Sequence, residues 1–309
     1  ASIGCALSTS IEYFWFFRVL QGIGGGAGSV VARAMVRDLY QGAEAQRVMA
    51  TVQILFGIAP AIAPMIGGLL LGFNWQSIFI FLALYAVLSM IMVSKVLPET
   101  IKKNMLTPFS LTSIVSRYKL LLSNKEFILL VLSVSANFSA FFIYVLASPV
   151  FLIDHLGFTS QQFGYLFVPT VIGMMTGSLI AKKSAGIISP SRLLRNGYYW
   201  MAIIVSLNTL FCFFYDNNPI INIGLVAFYN IGMAAVMPVI SIAALDQFTK
   251  MRGTAASGQA FMQMLFSSIV AGIFVPILWF STLGLSLGLL FLLYIGFFTI
   301  TRTNLWKSV

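Results

Sequence analysis

The chain has 309 residues, of which 59% are hydrophobic and only 8% charged, with a mean hydropathy of +0.95. Soluble domains carry about 25% charged residues, so water is excluded as the solvent for most of this surface. The net charge of +10 would suit nucleic acid, but the basic residues fall in small groups between apolar stretches, a pattern that the anionic face of a membrane explains.

A helix crossing a bilayer needs roughly 20 mostly apolar residues. In chain order, Ala1 to Ser8 read as the tail of a span and residues 13 to 36 as a whole span despite Arg18. Stretches free of Asp, Glu, Lys and Arg follow at 48 to 94, 127 to 153, 155 to 181, 196 to 215, 217 to 245 and 253 to 301. The first and last of these are too long for one crossing. They break at Gly72-Phe73-Asn74-Trp75-Gln76 and at Phe280-Ser281-Thr282-Leu283-Gly284, so each is expected to be a helical hairpin. The expected total is nine spans and a remnant, opening without the basic start or cleavage site of a signal peptide. Cys5 and Cys212 both lie in apolar segments and read as packing residues.

Short loops rich in Lys and Arg stay cytoplasmic, and 17 of the 18 basic residues fall in alternate loops, around Arg37, Lys103, Lys183, Lys250 and Arg302. The loops around Glu12, Asn74, Asp154, Asp216 and Ser281 carry none, which predicts a cytoplasmic C-terminus. Within the longest basic connection, Thr107-Pro108 predicts a helix start. Leu111, Ile114, Val115, Tyr118 and Leu122 then recur at helical spacing, an amphipathic helix suited to the inner membrane surface and to linking two bundles.

The chain also resembles itself. Ile23-Gly24 and Asp38 recur as Ile231-Gly232 and Asp246 at one offset of 208 residues, and Arg47 with Gln53 is echoed out of register by Arg252 with Gln259. Parallel halves flanking a cytoplasmic linker are a transporter architecture, with substrate held between the halves. A repeat of six spans divides the chain into a partial N-terminal bundle over 1–97, a linker over 98–125 and a six-span bundle over 126–309.

Two consecutive spans carry motifs. Arg18-Val19-Leu20-Gln21-Gly22 opens a helix rich in glycine, with Arg18 about 9 Å inside Glu12 at roughly 1.5 Å per residue. An intramembrane Arg is costly and points to a partner, and Glu12, about 600° around the helix, is a poor one. The alternative is a snorkelling or purely structural arginine. The next span carries Gly57, Pro60, Pro64, Gly67 and Gly68, where proline kinks the helix and glycine permits close packing.

These motifs resemble the major facilitator superfamily, specifically its drug:proton antiporters. Arg18 to Gly22 is similar to the fourth-span RxxQG motif, and Pro60-Ala61-Ile62-Ala63-Pro64-Met65-Ile66-Gly67-Gly68 to the fifth-span antiporter motif, with Ala63 where many members have Gly. With Ala34 to Leu39, Leu97 to Thr100 and Arg252 to Ala255, the resemblance is nearest the bicyclomycin and chloramphenicol resistance (Bcr/CflA) branch. It implies an all-α membrane protein of the major facilitator fold, two six-helix bundles lacking the first two spans and most of the third. It further implies a monomer in the bacterial inner membrane that exchanges a small-molecule substrate for protons, with Arg18 and Gln21 supporting the coupling.

All eight acidic residues sit at span ends or in loops, so the coupling carboxylate is expected on the absent first span. A uniporter, a symporter of the same fold and an inactive fragment remain open. Asn137, Tyr144, Asn230, Gln259 and Gln263 are polar positions in C-terminal spans that could line a cavity or bond between helices. His155 beside Asp154 reads as an interfacial residue. No mid-depth cluster of His, Asp, Glu or Cys suits metal binding or acid–base chemistry, so neither an enzyme nor a cofactor is expected.

Overall fold

The computed structural model describes residues 1–97, 99–100, 110–158, 164–214, 218–249 and 251–307, without the side chains of 60, 61, 64, 65 and 111. Its helices are α1 (Ser2–Leu7), α2 (Ile11–Leu39), α3 (Gly42–Leu71), α4 (Gln76–Val96), α5 (Leu111–Ser123), α6 (Lys125–Leu146), α7 (Gly164–Ser184), α8 (Pro190–Phe214), α9 (Pro219–Asp246), α10 (Arg252–Ile269), α11 (Val275–Leu278), α12 (Thr282–Thr301) and α13 (Asn304–Lys307). Eight helical stretches, α10 and α11 counting as one, are long and apolar enough to cross a membrane among the described residues. The 30 residues of α3 give it the length of a ninth.

Polar side chains mark where these helices start. Asn124 accepts from the Phe127 N–H at 2.8 Å, Asn218 from Ile220 at 3.1 Å and Ser281 from Gly284 at 2.9 Å, each satisfying a first-turn donor that has no partner within its helix. Both expected hairpins turn where the sequence is polar: α3 ends at Leu71 and α4 begins at Gln76, while α11 ends at Leu278 and α12 begins at Thr282.

Three elements differ from expectation. The stretch 127 to 153 is not one helix, because α6 stops at Leu146 and a π-helical turn, Val150–His155, follows Pro149. A second π-helical turn, Val270–Phe274, separates α10 from α11 ahead of Pro276. A proline ring cannot donate to the preceding turn, and a widened turn accommodates the loss. The linker helix starts at Leu111 behind a Ser110 cap; Thr107-Pro108 lies outside the described residues. The protein-facing side of this helix is its other contact. Leu121 is buried and the Tyr118 hydroxyl lies 2.7 Å from the Ser257 hydroxyl, whereas Val115 and Leu122 face outward.

The core belongs to the C-terminal half, where α6, α7, α8, α9 and α12 enclose Leu130, Ile143, Met174, Met201, Val236 and Leu289 at 1% exposure or less. Here glycine is required by close approach. A Cβ on Gly173 or Gly177 would run into the main-chain carbonyls of Ala227 and Ile231, so α7 and α9 meet backbone to backbone. In the N-terminal half α4 buries none of its residues and α2 buries only Val36 and Arg37. Such apolar faces carry no penalty where the surroundings are hydrocarbon.

The ends of the helices sort by charge. The C-termini of α2, α7 and α9 and the N-termini of α3 and α10 meet at one end, which carries the basic loops. There Gln46 donates to the Ala181 carbonyl at 2.9 Å and Arg47 to the Ala185 carbonyl at 3.1 Å. Arg195 donates to the Trp306 carbonyl at 2.9 Å. At the opposite end the His155 ring, Nε2 to oxygen 2.6 Å, bonds to the Trp279 carbonyl and ties the α6–α7 connection to α11.

Candidate functional site

A cavity of about 630 Å³ opens between the two halves, walled by α2 and α3 on one side and by α6, α9 and α10 on the other. Most of the wall is apolar, with Phe56, Phe138, Met237 and Met264 among its larger side chains. Its volume falls within the roughly 300–1,000 Å³ of small-molecule sites. The polar groups are few. Arg33 of α2 donates to Gln263 Oε1 of α10 at 3.4 Å, and Gln259 donates to the Ser241 hydroxyl at 2.8 Å while its Oε1 is buried without a partner.

One turn beyond Arg33, two ion pairs cross between the halves at the basic end. Arg37 binds Asp246, the last residue of α9, and also donates to the Tyr40 carbonyl at 3.0 Å. Arg252, which opens α10, lies 3.5 Å from Asp38. The two aspartates are the pair related by the 208-residue repeat, so the internal resemblance marks both acidic anchors of this closure. The symmetry is incomplete. The repeat partner of Arg37 is Leu245, which carries no charge, and Arg252 serves Asp38 from a different helix.

The antiporter-motif helix, α3, lies along α7. A Cβ on Gly57 would stand 3.4 Å from the Met174 Cβ, an ordinary contact, so alanine fits here and only a larger side chain would not. Gly67 and Gly68 have nothing within 4 Å among the described residues, so the close packing expected of them is absent there. The side chains of Pro60 and Pro64 lie outside the described residues. Arg18 and Gln21 are brought together, Nη1 to Oε1 2.5 Å, and Gln21 extends the chain of bonds to the Ser2 hydroxyl at 2.8 Å. The Arg18 guanidinium also lies 6.0 Å from the centre of the Phe79 ring. Arg18 is exposed and Gln21 and Ser2 are half-buried; Arg18 is about 22 Å along α2 from Arg33, at roughly 1.5 Å per residue, and neither Arg18 nor Gln21 lines the cavity.

Of the polar C-terminal positions, Gln259 and Gln263 line the cavity. Asn137 instead donates to the Tyr198 hydroxyl at 2.7 Å, and Tyr144 receives a bond from Asn208 at 3.2 Å, both inside the C-terminal bundle. Asn230 is buried in α9 with neither amide atom bonded. Arg33 was not singled out by the sequence, because counting charge-free stretches treats an Arg near a span end as loop. The groups of three or more His, Cys, Asp or Glu that could hold a metal are absent among the described residues.

A family model described as Major Facilitator Superfamily matches residues 1–275. The chain belongs to the major facilitator superfamily. Members of this superfamily are transporters, not enzymes, and handle small molecules across a membrane. The chain is 28% identical over 263 residues to a bicyclomycin resistance protein homolog of Haemophilus influenzae, covering 80% of this chain and 62% of that protein. It is 30% identical over 178 residues to the chloramphenicol resistance protein CraA of Acinetobacter baumannii, covering 57% and 43%. It is 26% identical over 186 residues to the multidrug resistance protein MdtM of Escherichia coli strain K12, covering 59% and 45%. The chain thus spans 62% or less of the length of these three relatives. The human organic anion transporter MFSD10 shares its fold, with a TM-score of 0.70 at 18% identity over 96% of this chain and 73% of that one. This major facilitator chain is accordingly a multi-pass membrane protein with drug-resistance relatives in bacteria, for which the plasma membrane is the corresponding location.

Proposed function

We propose that this chain forms the greater part of a monomeric secondary transporter that exports small amphipathic compounds across the bacterial inner membrane in exchange for protons. The observation that carries the reading is the apolar cavity of about 630 Å³ between the two halves, closed at the basic end by ion pairs that separate if the halves part there. The relatives' names, which record bicyclomycin, chloramphenicol and multidrug resistance, support efflux of amphipathic compounds. The positive-inside bias supports a cytoplasmic basic end and C-terminus, which puts the two ion pairs on the cytoplasmic side of the cavity. The division into a partial bundle over 1–97, a linker over 98–125 and a six-helix bundle over 126–309 belongs to the same reading.

Proton coupling needs a titratable group whose charge both proton and substrate bias. The described acids, Glu12, Asp38, Glu44, Glu99, Glu126, Asp154 and Asp246, all sit in terminal turns or connections. In this reading Arg18, held by Gln21, supports the intramembrane carboxylate that carries the proton. The placement of the described acids at helix ends and in connections favours a second reading, an uncoupled uniporter. Counterflow and efflux of a chloramphenicol-type compound from proteoliposomes, with and without an imposed proton gradient, separates them. Gradient-driven export lost in Arg18→Ala is the expected outcome; export that ignores the gradient establishes the uniporter, and full coupling in Arg18→Ala removes Arg18 from the mechanism.

A further inference from the structure

At the basic end Arg33, Arg37, Arg47 and Arg252 lie at the boundary between the halves with Asp38 and Asp246, and Arg47 is taken by the Ala185 carbonyl. Arg37 takes Asp246 and Arg252 takes Asp38. Arg33 is left with a single long bond, 3.4 Å, to a neutral carboxamide oxygen of Gln263, and it is the one charged side chain on the cavity wall among the described residues. A guanidinium keeps its charge at any physiological pH, so the cavity presents a permanent cation inside an apolar wall. The wall offers a second polar handle, the buried and unpartnered Oε1 of Gln259, which is 1% exposed and accepts from a ligand N–H or O–H.

We propose that the cavity selects organic anions: compact aromatic molecules that place a carboxylate or equivalent anionic group on Arg33 and a hydrogen-bond donor toward Gln259. The inference rests on the reading of this cavity as the substrate site. A carboxylate meets a guanidinium through charge-assisted, often bidentate hydrogen bonds, and the apolar surroundings strengthen the attraction relative to water. The ring of such a ligand lies against Phe56 and Phe138, whose own rings are tilted at 48° with centroids 6.2 Å apart. A cation of the same shape meets like charge, and a neutral amide gains only ordinary hydrogen bonds.

The test uses three isosteric probes, indole-3-acetate, indole-3-acetamide and tryptamine, titrated calorimetrically into the purified protein in nanodiscs. The expected order is acid tighter than amide by at least about tenfold, with tryptamine weakest. In Arg33→Gln the acid loses its advantage over the amide, and in Arg33→Lys a reduced advantage survives. The wild-type order needs no variant to fold. Equal affinity for acid and amide, as would follow if a carboxylate outside the described residues already neutralised Arg33, overturns the anion inference and leaves the cavity reading standing. Persistence of the acid preference in Arg33→Gln also overturns it. Failure of all three probes to bind overturns the cavity reading and this inference with it.

Discussion

Replacing Asp246 with Asn should open the basic end of the protein by a measurable factor. Arg37 is 5% exposed and the Asp246 side chain 39%. Losing one partner of a fully buried pair costs about 3–5 kcal/mol, and of an exposed pair about 0–1 kcal/mol. This pair lies between those limits, and Arg37 retains its bond to the Tyr40 carbonyl at 3.0 Å. The closed conformation is therefore expected to lose about 1.5–2 kcal/mol relative to the open one, a shift of roughly ten- to thirtyfold. Ala260 lines the cavity, so a cysteine there, in a background without Cys5 and Cys212, reports its accessibility. A membrane-impermeant thiol reagent applied from the basic side should label Ala260→Cys about ten times faster in Asp246→Asn. Exchanging the charges, Arg37→Asp with Asp246→Arg, should return the rate toward the starting value. An unchanged rate in a folded Asp246→Asn protein, or no recovery in the exchanged pair, would refute the idea that this contact holds the halves together.

Other substitutions test the packing. Arg252→Gln breaks a longer pair whose side chains are 20% and 33% exposed, so its effect on the same labelling rate should stay below about fivefold. Gly177→Val drives a side chain into the Ile231 carbonyl and is expected to cost more than about 2 kcal/mol, seen as loss of detergent-stable protein; Gly67→Val, in open space, should leave the yield unchanged. Gly57→Ala adds a Cβ 3.4 Å from Met174 and should be tolerated, whereas Gly57→Leu should lower the Tm by prising α3 from α7. Tyr198→Phe leaves Asn137 and Ser133 without the hydroxyl they share at 2.7 Å, a loss of about 1–3 kcal/mol, measurable as a lower Tm without altered ligand affinity.

Much of the fold was legible because the bilayer imposes one length and one hydropathy on every span. The two hairpin turns, at Asn74 and Ser281, could be placed because polar residues interrupt runs too long for a single crossing. The π-helical turns could not, since residues 150–153 and Val270–Phe274 are as apolar as the helices before them, and Pro149 and Pro276 mark a break without giving its form. Small-residue spacing in α7 carries a readable signal: Gly173 and Gly177, four apart, are the contact with α9, whereas the more numerous glycines of α2 meet nothing within 4 Å among the described residues. At the cavity, Gln259 and Gln263 could be picked as polar residues within a span. Asn137 and Tyr144 satisfied the same criterion but bond within the C-terminal bundle, because polarity identifies a residue that needs a partner without saying whether the partner is a helix or a ligand. Arg33 escaped notice because its role depends on which aspartates its neighbours Arg37 and Arg252 have already taken, which is a property of three helices and of no single one.

Both ion pairs at the basic end share one feature of α2. Arg37 and Asp38 are adjacent, and successive residues on a helix point about 100° apart, so a single turn grips α9 on one side and α10 on the other. The grip is bivalent: while one bond holds, the other group stays within reach of its partner and re-forms easily. Release of α2 from α9 and α10 therefore requires both to part together, which makes this step of opening all-or-none. A one-residue insertion between Arg33 and Arg37 would turn that end by the same 100° and disengage both partners at once.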